Sequence, residues 1–161
     1  MNKNGKAEIV VIIPAFNEEK SIAKVIGDIP KELVSEAIVV NNNSQDNTSE
    51  VAEQAGATVL MEMQQGYGNA CLKGIAYLED REPSPHIVVF LDGDYSDYPE
   101  EMTHLVQPIW EEGVDMVIGS RALGNRARGS MTFPQIFGNW LATRMIRLFF
   151  GVKYTDLGPF R

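Results

Sequence analysis

Five short apolar runs mark out the first 118 residues: Ile9 to Ile13, Ala37 to Val40, Thr58 to Met61, Ile87 to Leu91 and Val114 to Ile118. Most are rich in Val and Ile and do not alternate with polar residues, which is how strands covered on both faces read. The gaps between them are long enough for helices. Ile22, Val25, Ile26 and Ile29 fall at i, i+3, i+4 and i+7, on one helical face. Leu72, Ile75 and Ala76 repeat that pattern, as do Met102, Leu105, Val106 and Ile109. Pro99 suits a first helical turn, and Pro108 is expected to bend or shorten the helix it falls in. Strands alternating with helices require parallel pairing through right-handed crossovers. The expected fold class is therefore α/β, an open, mostly parallel sheet flanked by helices.

Composition narrows the function. The 161 residues, 44% of them hydrophobic, suit one domain with a real core. With 14 Lys and Arg against 22 Asp and Glu, the net charge of −8 argues against nucleic acid as a partner, because phosphate binders carry a basic footprint. A metal or a local basic patch would have to receive any anion. Cys71 is the only cysteine, so no intrachain disulfide forms, and no Cys/His cluster has zinc spacing. Met1 to Lys6 lack the features of a signal peptide, and no apolar run approaches the ~20 residues that span a bilayer. The expected location is cytoplasmic, with peripheral attachment at the inner face of a membrane left open.

Charge is unevenly distributed. Residues 1–120 carry 7 basic and 21 acidic side chains, whereas 121–161 carry 7 basic ones and only Asp156 as an acid. A basic section on an acidic body marks either a solvated face or a surface for an anionic ligand or membrane. Residues 122–133, rich in Gly, Arg and Asn, read as a loop. Residues 134–150 then read as an amphipathic helix, whose apolar side would be covered by the sheet, by a second copy in a homo-oligomer, or by a bilayer surface.

The chemistry concentrates after the strands. In an open α/β sheet, ligands bind outside the carboxyl ends of the strands. There stand Pro14-Ala15-Phe16-Asn17-Glu18, Asn41-Asn42-Asn43-Ser44-Gln45-Asp46, Asp92-Gly93-Asp94 and Gly119-Ser120-Arg121. In extended chain, Asp92 and Asp94 project to the same side, and Gly93 permits close backbone approach. Two unit charges ~4 Å apart repel by about 4 kcal/mol at an effective dielectric of ~20. Mg²⁺ or Mn²⁺ is the natural partner, since these cations take one or two carboxylates plus phosphate oxygens. The glycines at 66, 68 and 74 do not make a dinucleotide fingerprint, because Cys stands at 71 and the stretch follows the third strand. A helix opening at Gly68 would still present its N-terminus to an anion.

These motifs, with Gly66 to Gly74 and the terminal Thr155-Asp156-Leu157-Gly158-Pro159-Phe160-Arg161, resemble glycosyltransferase family 2 in order and spacing over nearly the whole chain. Within the family the likeness is nearest to the dolichyl- and polyprenyl-phosphate sugar synthases. The resemblance implies a Rossmann-like GT-A fold and a single catalytic domain over 1–161. In it, 1–120 would form the nucleotide-sugar-binding core, and 121–161 a basic loop and amphipathic helix on the acceptor side. It also implies that family members continue several tens of residues beyond Arg161, so that the chain is truncated at its C-terminus.

The implied activity is metal-dependent, inverting transfer of a sugar from a nucleoside-diphosphate sugar to a polyprenyl phosphate or a glycan hydroxyl. By the same likeness, Pro14, Ala15, Asn17, Glu18, Asn41 and Asn43 line the nucleotide pocket, with Gly66, Gly68 and Gly93 beside the donor. Asp92 and Asp94 hold the diphosphate and metal, Arg121 reaches the phosphates, and Arg126 and Arg128 meet donor or acceptor phosphate. Asp156 lies near the acceptor and is the nominated general base for a hydroxyl. Asn41 stands where the family commonly has Asp, and both UDP and GDP stay open as the nucleotide. A non-catalytic nucleotide-sugar-binding module, or an inactive fragment of such an enzyme, is the alternative. A nucleotidyltransferase is disfavoured, since no Gly-rich, basic phosphate loop follows the first strand.

Overall fold

Strands form at four of the five apolar runs. The structure, a computed structural model, describes residues 8–79, 81–119 and 133–155. It comprises β1 (Ile9–Ala15), α1 (Ile22–Asp28), β2 (Glu36–Asn41), α2 (Thr48–Gln54), β3 (Thr58–Met61), α3 (Tyr67–Glu79) and β4 (Ile87–Phe90). A 3₁₀ turn (Pro99–Glu101), α4 (Met102–Glu112) and α5 (Phe133–Phe150) follow. The sheet order is β3-β2-β1-β4 and every pairing is parallel.

Chain order and sheet order together decide where the helices lie. From β1 through β2 to β3 the chain steps in one direction, and right-handed crossovers place α1 and α2 on one face. From β3 it returns past β1 to β4, so α3 lies on the other face. Residue parity along β1 reflects this. Ile9, Val11 and Ile13 pack with Ile22, Val25 and Ile26 of α1, Ala52 of α2, and Met102 and Val106 of α4. Val10 and Ile12 pack with Ile38, Val40, and Ala70 and Leu78 of α3. Both faces of the central strand are thus buried, as its unbroken hydrophobic run requires.

Two expectations need correction. Residues 114–118 form no strand; Met116 is exposed, and β4 has a ladder partner only in β1 among the described residues. A strand exists only where its N–H and C=O groups find a ladder, and an apolar run does not guarantee one. The buried face of α3 is Ala70, Gly74 and Leu78, whereas Leu72 is 63% exposed and Ile75 and Ala76 face outward. Small residues let this helix approach β1 so closely that a Cβ on Gly74 would lie 2.7 Å from Ile12 Cγ2.

Pro108 does not end α4, which continues to Glu112. An internal proline costs about 3 kcal/mol. Burial of Met102, Leu105 and Val106 offsets this at roughly 1.5–3 kcal/mol per side chain. The expected α1 face is buried as read.

At the end of the sheet away from the strand carboxyl termini, the Arg81 guanidinium pairs with Glu36 at 2.5 Å and Glu8 at 3.8 Å. The Thr58 hydroxyl donates to the same Glu36 carboxylate. α5 carries exposed Phe137, Trp140, Leu141, Met145, Leu148, Phe149 and Phe150, so the sheet does not cover its apolar side. Among the described residues, no helix is long and apolar enough to cross a membrane.

Candidate functional site

The sheet order reverses between β1 and β4, and a crevice opens outside the carboxyl ends of strands that diverge in this way. A cavity of about 240 Å³ lies there, lined by Pro14, Ala15, Phe16, Glu18, Asn42, Tyr67, Ala70, Asp92, Gly93 and Asp94. Six of these, Pro14, Ala15, Glu18, Asp92, Gly93 and Asp94, belong to the set expected from sequence. Phe16, Asn42, Tyr67 and Ala70 do not, although all four stand inside the motifs that flag the sheet rim.

Interlocked loops build the rim. Beyond β1, the Asn17 N–H donates to Ser44 Oγ (3.0 Å) and its Oδ1 accepts from the Gln45 N–H (2.8 Å). The Glu18 N–H donates to Thr48 Oγ1 (2.8 Å), and the Glu19 N–H to Asp46 Oδ2 (3.1 Å). Asp46 Oδ1 in turn accepts from the N–H and hydroxyl of Thr48 (3.0 and 2.5 Å). Burial pushes the Asp46 carboxyl upward, but the bonds from Thr48 and the Glu19 N–H outweigh it and hold the group below its ordinary value.

Two buried asparagines complete the frame. The Asn41 side chain accepts from the Ser44 N–H of the turn (2.8 Å) and donates to Ser49 Oγ on α2 (2.5 Å). Asn42 Nδ2 donates to the Glu62 and Gln64 carbonyls (3.2 and 2.9 Å), and its Oδ1 accepts from the Gly66 N–H (2.6 Å). One amide therefore ties β2 to the segment that enters α3, whose first turn carries Tyr67 and Gly68. Asn17 and Asn43 take left-handed backbone at φ 58° and 63°, a conformation asparagine tolerates. Gly66, at φ 136°, occupies a region that side chains disfavour.

The third wall follows β4. A Cβ on Gly93 would lie 3.3 Å from the Pro14 carbonyl oxygen, so glycine lets the Asp-Gly-Asp segment lie against the β1 loop. Asp94 Oδ1 accepts from the Ser96 N–H (2.9 Å). The Glu18 carboxylate accepts from the Ser21 hydroxyl (2.6 Å). Among the described residues, the cavity lining thus holds three carboxylates, Glu18, Asp92 and Asp94, and no lysine or arginine. Tyr95 is also left-handed at φ 63°; its hydroxyl donates to Asp28 Oδ2 at 2.5 Å, which raises the phenol above its ordinary value.

No group of three or more His, Cys, Asp or Glu side chains gathers as a metal cage among the described residues. Two hard oxygen donors beside an open cavity instead match a cation that takes its remaining ligands from a phosphate-bearing molecule and water. Arg121, Arg126, Arg128 and Asp156 lie outside the described residues.

A glycosyl transferase family 2 profile matches residues 10–159, and the chain belongs to that family. The uncharacterized protein MJ1222 of Methanocaldococcus jannaschii is 34% identical over 159 residues, which is 97% of this chain and 64% of that protein. The glycosyltransferase AglJ of Haloferax volcanii is 32% identical over 92% of this chain and 47% of its own length. Among solved structures, glucosyl-3-phosphoglycerate synthase from Mycobacterium tuberculosis, in complex with Mn²⁺, UDP and glucosyl-3-phosphoglycerate, superposes with a TM-score of 0.57 at 33% identity. That match covers 68% of this chain and 41% of the synthase. The chain therefore spans about two fifths to two thirds of the length of these three proteins. The synthase is a GT-A glycosyltransferase, and the parallel sheet with flanking helices is of that class.

Proposed function

We propose that this protein transfers a sugar, with inversion, from a nucleoside-diphosphate sugar to a phosphate or hydroxyl acceptor, using Mg²⁺ or Mn²⁺ held by Asp92 and Asp94. The observation that carries the reading is the placement of these two carboxylates, with Glu18, in one cavity at the switch point between β1 and β4. When bound, the cation supplies positive charge that stabilises a departing diphosphate. The UDP and Mn²⁺ complex of the similar synthase supports a UDP-sugar donor and this choice of metal.

The chain's own residues would divide the work. Asp92 and Asp94 bind the cation, and Gly93 keeps them against the β1 loop. Phe16 and Tyr67, each about half exposed on the lining, offer aromatic faces to the base or sugar. Asn42, with Asn17, Asn41 and Asn43 behind it, fixes the rim on which the nucleotide rests. Arg121, Arg126 and Arg128 neutralise phosphate charge. A phosphate acceptor, already anionic at neutral pH, attacks without a base, whereas a hydroxyl acceptor loses its proton to Asp156. The exposed apolar side chains of α5 with Arg144 and Arg147 favour peripheral contact with an anionic membrane, which suits a polyprenyl-phosphate acceptor.

Transfer assays with UDP-glucose and GDP-mannose, with and without Mn²⁺, test the reading. Wild-type protein is expected to turn over one donor only with the metal, and Asp94→Asn to lose that turnover. Metal-independent activity, or full activity in the variant, would overturn it. Calorimetric binding of the donor without any turnover would instead favour a non-catalytic nucleotide-sugar-binding module.

A further inference from the structure

Three non-glycine residues among those described adopt left-handed backbone, and all three stand on the rim: Asn17, Asn43 and Tyr95. The two asparagines suit that conformation. Tyr95, at φ 63°, does not, because a bulky side chain there is strained unless its surroundings hold it. The surroundings here lie on α1. The Tyr95 hydroxyl donates to Asp28 Oδ2 at 2.5 Å across 67 residues of sequence, and Lys24 Nζ lies 5.9 Å from the centre of the ring. α1 is itself fixed by Ile22, Val25 and Ile26 in the core. The Tyr95 side chain is absent from the cavity lining and reaches to α1 instead. Its backbone sits between Asp94 and Ser96, and the Ser96 N–H is the group that orients the Asp94 carboxylate.

We propose that Tyr95 and Asp28 are positioning residues that hold the Asp92–Asp94 segment in its cation-binding geometry, an inference that rests on the metal reading above. The strained backbone at 95 directs the chain so that Asp94 faces the cavity and Ser96 turns back to it. The bond to Asp28 keeps that bend in place before any ligand arrives. The cation then meets carboxylates already arranged, and none of its affinity is lost in ordering the loop.

Mn²⁺ binding to the full chain in the presence of UDP, read by the electron paramagnetic resonance signal of free Mn²⁺, tests this for wild type, Tyr95→Phe, Asp28→Ala and the double variant. Each single variant is expected to raise the Mn²⁺ dissociation constant about threefold to tenfold, the range for loss of one hydrogen bond. The double variant should do no worse than the weaker single one, because both remove the same bond. Thermal unfolding without metal separates this from general destabilisation. Wild-type affinity for Mn²⁺ in both single variants would overturn the inference while leaving the metal reading intact, even if their melting temperatures fell. Independent, additive losses would also overturn it. If wild-type protein itself bound no Mn²⁺, or Asp94→Asn bound it as well as wild type, the metal reading and this inference would fall together.

Discussion

Replacing Gly27 by alanine should stabilise the protein, and replacing Gly74 should leave it unchanged or destabilise it, although each adds one methyl group within a helix. In an exposed helix interior, Gly→Ala gains about 0.5–1 kcal/mol. Gly27 on α1 is exposed, with nothing within 4 Å of the position an added methyl would take, so it should collect that gain. At Gly74 the new methyl would lie 2.7, 3.0 and 3.2 Å from three carbons of Ile12. Carbon atoms normally stay about 3.5–4.0 Å apart, so the nearest contact is about 0.8 Å too close.

Ile12 is fully buried in the central strand and β-branched, so it cannot turn aside. Overpacking of this kind costs about 1–3 kcal/mol, which leaves Gly74→Ala neutral to roughly 2 kcal/mol less stable after the helical gain. Thermal unfolding followed by circular dichroism measures both variants. With a melting shift of about 2–4 °C per kcal/mol in a chain of this size, the two melting points should separate by at least 2 °C. Equal stabilisation by both alanines would refute the close approach of α3 to β1.

Asn42→Ala should destabilise by about 1–3 kcal/mol, since two carbonyls and an N–H lose their shared partner, and unfolding in urea reads the loss. Asp46 has a lowered pKa in the folded state, so its contribution is fully present above the ordinary value of about 3.9 and fades as pH falls through the folded value. Asp46→Asn should flatten the acid limb of a stability–pH curve below pH 4 and leave its shape at pH 7–8 unchanged; an unaltered acid limb would refute the assignment. Vesicles containing anionic lipid should float with the protein, and Phe149→Ser with Phe150→Ser should weaken flotation; equal flotation of neutral vesicles would argue against the charge component.

Local signals were legible in the sequence, and partnerships between distant segments were not. Short apolar runs located the four strands, but only β1 is buried along its whole length, whereas β3 is half-buried and Val88 on β4 is exposed. Asp92 and Asp94 do share the cavity, as expected, but β4 ends at Phe90 and a turn at Gly93 and Asp94, not extended chain, brings them there. The face of α3 was misread because Leu72 and Ile75 are more hydrophobic than Ala70 and Gly74, while smallness, and not hydrophobicity, is what contact with Ile12 demands. The apolar run at 114–118 looked like a strand, but strandhood depends on a neighbour that sequence does not display. Asn42 and Asn41 are adjacent and chemically identical, yet the first ties β2 to residues 62–66 and the second ties it to Ser49 on α2, a division that sequence does not display. The Tyr95–Asp28 bond, spanning 67 positions, left no local trace at all.

β4 has β1 as its neighbour on one side and no strand on the other among the described residues, and Val88 on it is 36% exposed. A strand flank of this kind offers an extended peptide a matching rhythm of main-chain donors and acceptors. A charged residue in place of Val88 should therefore suppress any cloudiness that strand-to-strand association causes in concentrated solutions, and light scattering reads the difference.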